Sequence, residues 1–180
     1  MDDAYDNVMK NITKKTDTGE KKAKLGKDTT LTVMLKKLLA DTYILALKTQ
    51  GFHWNVTGRS FSELHGLFEV QYQELYTAGD EIAERVRALR LPAPSSFAQF
   101  ARLASVREEE TAPRAKEMVA ALVADNEQVS RLARQVISAA TEIDDIGTAD
   151  LATRRVQAHD KAAWMLRATL EDDISQEAHA

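Results

Sequence analysis

Residues 52–69 read Phe52-His53-Trp54-Asn55-Val56-Thr57-Gly58-Arg59-Ser60-Phe61-Ser62-Glu63-Leu64-His65-Gly66-Leu67-Phe68-Glu69, or FHWNVTGRSFSELHGLFE, and hold two of the chain's four histidines. Before this stretch, Leu31, Met34, Leu35, Leu38, Leu39, Leu45 and Ala46 recur at helical spacing from Thr30 onward, the apolar stripe of a first long helix. Gly58 breaks the pattern. Ser60-Phe61-Ser62-Glu63 then matches a capping box, whose serine and glutamate can satisfy the free amides of a helix start. A second helix is expected from about Ser60, carrying Phe61, Leu64, Phe68, Tyr72, Leu75, Ile82, Val86 and Leu89 on one face. Pro92 and Pro94 end it. The stretch is therefore two helix ends joined by a turn, which presents His53 and His65 together.

The same reading extends outward. Phe97, Phe100 and Ala101 share a face in a short segment over 95–103. After Pro113, a third long helix carries Met118, Val119, Leu122, Val123, Val129, Leu132, Val136 and Ile137. Thr148 can cap a fourth, which carries Val156, Ala163, Leu166 and Leu170. No strand alternation competes, so the fold class is all-α: four amphipathic helices with a short extra helix in the longer connection between the second and third. The expected organisation is a lysine-rich N-terminal tail over 1–28, a bundle over 29–173 and a short C-terminal tail over 174–180.

Composition narrows the chemistry. The 180 residues include no cysteine, which excludes disulfides, thiolate metal sites and cysteine nucleophiles. No apolar run approaches the roughly 20 residues of a membrane span, and no signal-peptide core occurs near the start. The expectation is a cytoplasmic protein. The net charge of -4 is unevenly spread: Lys10, Lys14, Lys15, Lys21, Lys22, Lys24 and Lys27 crowd a segment containing only Asp17 and Glu20 as acids.

On the second helix, His65 and Glu69 lie four residues apart and project from one face, as do Asp80 and Glu84. Imidazole and carboxylate without thiolate suit iron, zinc or manganese. An isolated His and Glu one turn apart is ordinarily a solvated pair, so spacing alone is weak evidence. Geometry adds a constraint: at about 1.5 Å per residue, Glu69 and Asp80 are separated by roughly 16 Å along a straight helix. One metal cannot bridge them within a chain. If both pairs serve one metal, the helix must pack antiparallel against its copy, with two identical sites about a two-fold axis. The Glu-x-x-His pair of an intrachain di-iron bundle is absent.

His53-Trp54-Asn55, Gly58, His65, an acid four residues beyond it, Asp80-x-x-x-Glu84 and the Ala163-Trp164-Met165-Leu166 run together resemble the signature of the Dps family, the miniferritins of starved bacteria, over residues 30–172. The resemblance implies a ferritin-like four-helix bundle assembling as a hollow dodecamer. It implies oxidation of Fe(II) with hydrogen peroxide or dioxygen, storage of Fe(III), and a nucleoid-associated role in protecting DNA. It further implies a two-iron intersubunit ferroxidase centre made by His53, His65 and Glu69 of one chain with Asp80 and Glu84 of another, and Trp54 beside it. Glu69 stands where many relatives carry Asp. The tail lysines are expected to bind DNA without sequence preference, and Asp145 and Asp150 to line an iron-entry pore. Trp54 is expected to be a core or interface aromatic, His159 a packed or interface histidine, and His179 part of the C-terminal tail.

Overall fold

The computed structural model describes residues 29–177, with side chains through Leu170; the tail lysines and His179 lie outside the described residues. Five helices and no strand are present among them: α1 Thr30–Asn55, α2 Phe61–Ala88, α3 Phe97–Leu103, α4 Ala115–Thr141 and α5 Ile146–Glu177. This is the expected ferritin-like arrangement. α1 pairs with α2 and α4 with α5, while α1 also packs on α4 and on the short α3. The connection carrying α3 crosses from one hairpin to the other.

The apolar stripes close on one core. Leu35, Leu38, Leu39 and Leu45 of α1 meet Phe68 and Ile82 of α2, Met118 and Leu122 of α4 and Leu166 of α5, all essentially without solvent contact. Phe61 departs from its stripe: it is exposed, with its ring 5.0 Å from that of His65. Two polar anchors tie the elements together. Asp41, fully buried on α1, accepts hydrogen bonds from Ser105 N and from Ser105 Oγ and Val106 N, the last two at 2.8 Å. These bonds fasten the connector after α3 to α1. Lys48 Nζ meets Asp125 Oδ2 at 2.6 Å, joining α1 to α4, and burial raises the Asp125 carboxyl above its ordinary value even with the lysine alongside.

Helix ends differ from expectation in three places. Thr29 caps α1 in a reciprocal box with Thr32. Ser60, by contrast, makes no side-chain capping bond to α2. Gly58, at φ +106, turns the chain instead, a conformation that side chains with a Cβ rarely adopt. α5 starts two residues before Thr148, because Asp145 is the cap: its Oδ1 accepts Thr148 N at 3.0 Å and its Oδ2 accepts Thr148 Oγ1 at 2.6 Å. At the far end α5 continues to Glu177, past the expected limit at 173, since neither Gly nor Pro interrupts that segment.

Candidate metal centre

The turn at Gly58 reverses the chain so that the last turn of α1 lies against the first turns of α2. His53 and His65 meet there, with ring centroids 3.7 Å apart and planes inclined by 22°. Their hydrogen bonds are reciprocal. His53 Nδ1 is 2.8 Å from the His65 carbonyl oxygen, and His65 Nδ1 is 2.9 Å from that of His53. A carbonyl can only accept, so in each ring Nδ1 carries the proton and donates it. In the neutral tautomer that leaves both Nε2 atoms with a lone pair, the state in which imidazole binds a metal. Two stacked rings fixed by main-chain acceptors hold two nitrogen donors side by side.

The carboxylates lie as the sequence places them on α2. Glu69, half-buried, is one turn beyond His65, its Oε1 3.4 Å from Gln73 Nε2. Asp80 and Glu84 are exposed, three turns further along the same helix. Among the described residues no three His, Cys, Asp or Glu side chains gather to hold a metal within one chain. The histidines are brought together; Asp80 and Glu84 are not brought to them.

Trp54 is 63% exposed and borders a groove shared with Leu47, Gly51 and Glu108–Glu110, so it is not part of this chain's core. Val70, Phe97, Ile146 and Trp164 are also more than half exposed. Around the turn into α5, Asp145 is engaged by Arg85 Nη2 as well as by Thr148. Asp150 is exposed and contacts Arg154. His159 is buried on α5, as its packed reading anticipates. Its Nδ1 is 2.8 Å from Asn126 Oδ1, and burial, then the Arg155 charge, lower its pKa to about 3.

One neighbour of the histidines counts in the sequence only as part of the apolar stripe of the second helix. Tyr72 meets the His53 ring edge-on, with centroids 5.3 Å apart, and continues to Tyr76. The four-residue spacing of these two tyrosines on the His65 helix was the available signal. Burial, followed by the adjacent Tyr43 and Tyr72, raises the Tyr76 phenol above its ordinary pKa.

The ferritin-like domain family model matches residues 33–174. An uncharacterised low temperature-induced protein of Nostoc is 41% identical over 140 residues, covering 77% of this chain and 78% of that one. DNA protection during starvation protein 2 of Bacillus anthracis is 35% identical, covering 76% of this chain and 94% of the relative. Among solved structures, Dps from Thermosynechococcus elongatus aligns with a TM-score of 0.76 at 34% identity, over 78% of this chain and 89% of that one. A Dps protein from Vibrio cholerae, described as a member of a broad superfamily of ferritin-like diiron-carboxylate proteins, aligns with a TM-score of 0.76 at 30% identity, over 83% and 99%.

Proposed function

Because this chain belongs to the Dps family of ferritin-like proteins, we propose that it oxidises Fe(II) and stores the Fe(III) product, with its oxidation sites completed across a two-fold axis between subunits. The observation that carries this reading is the His53–His65 pair: two stacked imidazoles, each with Nδ1 held by the other residue's carbonyl oxygen, which leaves Nε2 as the nitrogen that would bind a metal. His53, His65 and Glu69 would take substrate iron together with Asp80 of the partner subunit and Glu84 of the partner subunit. If both α2 pairs serve one centre, the roughly 16 Å between them calls for that division. Nitrogen and carboxylate donors fit iron at either oxidation state. Two irons at one centre would pass two electrons to hydrogen peroxide together, yielding water rather than a hydroxyl radical; dioxygen is the alternative oxidant.

The exposed apolar side chains support a homo-oligomer, and the family's hollow dodecamer is the assembly we propose. Asp150, exposed at the start of α5, is the stronger candidate for an iron-entry carboxylate. Asp145 would first have to release Arg85 and Thr148. The seven lysines of residues 10–27 would bind DNA phosphates in many copies, giving protection of DNA in the nucleoid through a strongly salt-dependent contact. The six acids Asp2, Asp3, Asp6, Asp17, Glu20 and Asp28 favour a second reading, iron storage without DNA binding.

Anaerobic loading with Fe(II) followed by peroxide should give rapid ferric formation, slowed by about 100-fold or more in His53→Ala and in His65→Ala. Normal rates in both variants would remove the histidines from the site. Deleting residues 1–28 should abolish a DNA gel shift that weakens as salt rises; an unchanged shift would put the contact elsewhere.

A further inference from the structure

Three of the chain's four tyrosines, Tyr43, Tyr72 and Tyr76, form one continuous line of rings that ends on the paired histidines. Tyr72 packs edge-on against His53 at 5.3 Å, Tyr76 against Tyr72 at 6.2 Å, and Tyr43 against Tyr76 at 6.2 Å. Beyond Tyr43, Phe100 is stacked at 4.6 Å with planes inclined by 9°. Every centroid spacing falls within the contact range of aromatic pairs, about 4.5–7 Å. The line crosses from α2 to α1 and on to α3, running from the histidines along three half-buried tyrosines to buried Phe100.

Its continuity depends on a glycine. A Cβ at Gly79 would lie 2.9 Å from Tyr43 Cε2 and 3.3 Å from Cζ, so the absence of a side chain there makes room for the Tyr43 ring beside α2. Tyr76 is fixed by its hydroxyl, which donates to Gln50 Oε1 at 2.9 Å.

We propose that Tyr72, Tyr76 and Tyr43 form an electron relay that supplies the second electron when peroxide meets a centre holding a single Fe(II). The inference rests on the ferroxidase reading above. One Fe(II) provides one electron, and cleavage of the O–O bond with that electron alone releases hydroxide and a hydroxyl radical. With a tyrosine as second donor the balance is Fe(II) + H2O2 + TyrOH giving Fe(III) + TyrO• + H2O + OH−. The iron and the phenol each lose one electron, the O–O bond breaks, and the phenolic proton ends in water. The electron leaves Tyr72, whose ring packs against His53, for the centre; Tyr76 and Tyr43 then share the hole, drawing it away from the centre. A later Fe(II) restores the phenol: TyrO• + Fe(II) + H+ gives TyrOH + Fe(III). Tyrosine suits the role because its neutral radical is stabilised by loss of the phenolic proton, which phenylalanine cannot provide.

The test uses the full assembly with at most one Fe(II) per centre, mixed with peroxide and frozen for electron paramagnetic resonance, with a spin trap in parallel samples. The wild type should give a tyrosyl signal whose hyperfine structure collapses when the protein carries ring- and β-deuterated tyrosine. In the triple variant Tyr43→Phe, Tyr72→Phe, Tyr76→Phe that signal should disappear and the trapped hydroxyl adduct should rise several-fold. Tyr72→Phe alone, the mildest change in shape, should lower the signal and raise the adduct in the same direction. A signal that survives the triple variant, one that carries a tryptophan signature and vanishes in Trp54→Phe, or an unchanged adduct would overturn the relay. If the wild type forms no ferric product, the ferroxidase reading itself fails; ferric product without a tyrosyl radical rejects the relay alone.

Discussion

Two histidine environments in this bundle begin alike and end differently. In both, Nδ1 is fixed by an oxygen acceptor: the facing main chain for His53 and His65, and Asn126 Oδ1 for His159. The Asn126 amide is itself oriented by its Nδ2, which donates to the Leu122 carbonyl at 2.8 Å, so Nε2 is the free nitrogen in all three rings. What Nε2 meets decides the rest. At the α1–α2 turn, half-buried His65 shares a face of α2 with the Glu69 carboxylate, and His53 lies against it from α1. His159 Nε2 is sealed in the core with no hydrogen-bond partner, beside the Arg155 cation. The first environment can accept a cation; the second repels one and refuses a proton.

The sharpest way to break the contrast is to exchange loss of function for loss of stability. His65→Ala should remove most iron oxidation, at least the roughly 100-fold upper end seen when a residue that only supports a ligand is lost, while costing the fold only about 1 kcal/mol for one hydrogen bond. Thermal melting and ferric formation measured on one preparation check both halves. A large fall in stability would mark the pair as structural.

Acid should do the reverse. Because the folded His159 pKa, about 3, lies below the ordinary value near 6.5, the unfolded chain binds a proton between these limits that the fold excludes. Stability from this residue is therefore intact above about pH 6.5 and falls by about 1.4 kcal/mol per pH unit toward pH 3. Denaturant unfolding over that range should show a shallower loss in His159→Asn, which keeps a donor for Asn126. An identical slope would mean that other groups dominate the acid response.

The sequence made the α1–α2 turn legible because Gly58 and the flanking apolar stripes are local signals, and helical period alone placed His53 and His65 at facing ends. Their mutual carbonyl bonds were not legible, since these depend on how closely two helices approach. Thr148 was the wrong cap for the same kind of reason: Asp145 wins because its carboxylate also meets Arg85, which is distant in sequence and adjacent in space. The tyrosine line was hidden by separation. Tyr43 joins Tyr76 only through the pairing of α1 with α2, and Gly79 is indistinguishable in sequence from an ordinary helical glycine, because the ring that needs its space comes from α1. Asp41 in a fully buried position contradicted the plain amphipathic pattern, and only the connector's amides explain it.

If each chain carries half of two sites, mixed assemblies reveal it directly. Neither His65→Ala nor Glu84→Ala should oxidise iron when expressed alone. Co-expressed with separate tags and purified as mixed assemblies, they should recover activity, because a pair made of one chain of each kind contains one doubly damaged site and one intact site. Random pairing about a two-fold axis makes that about a quarter of all sites, and the peroxide-driven rate should return to about that fraction of the wild type. Mixed assemblies as inactive as the two parents would contradict the intersubunit site.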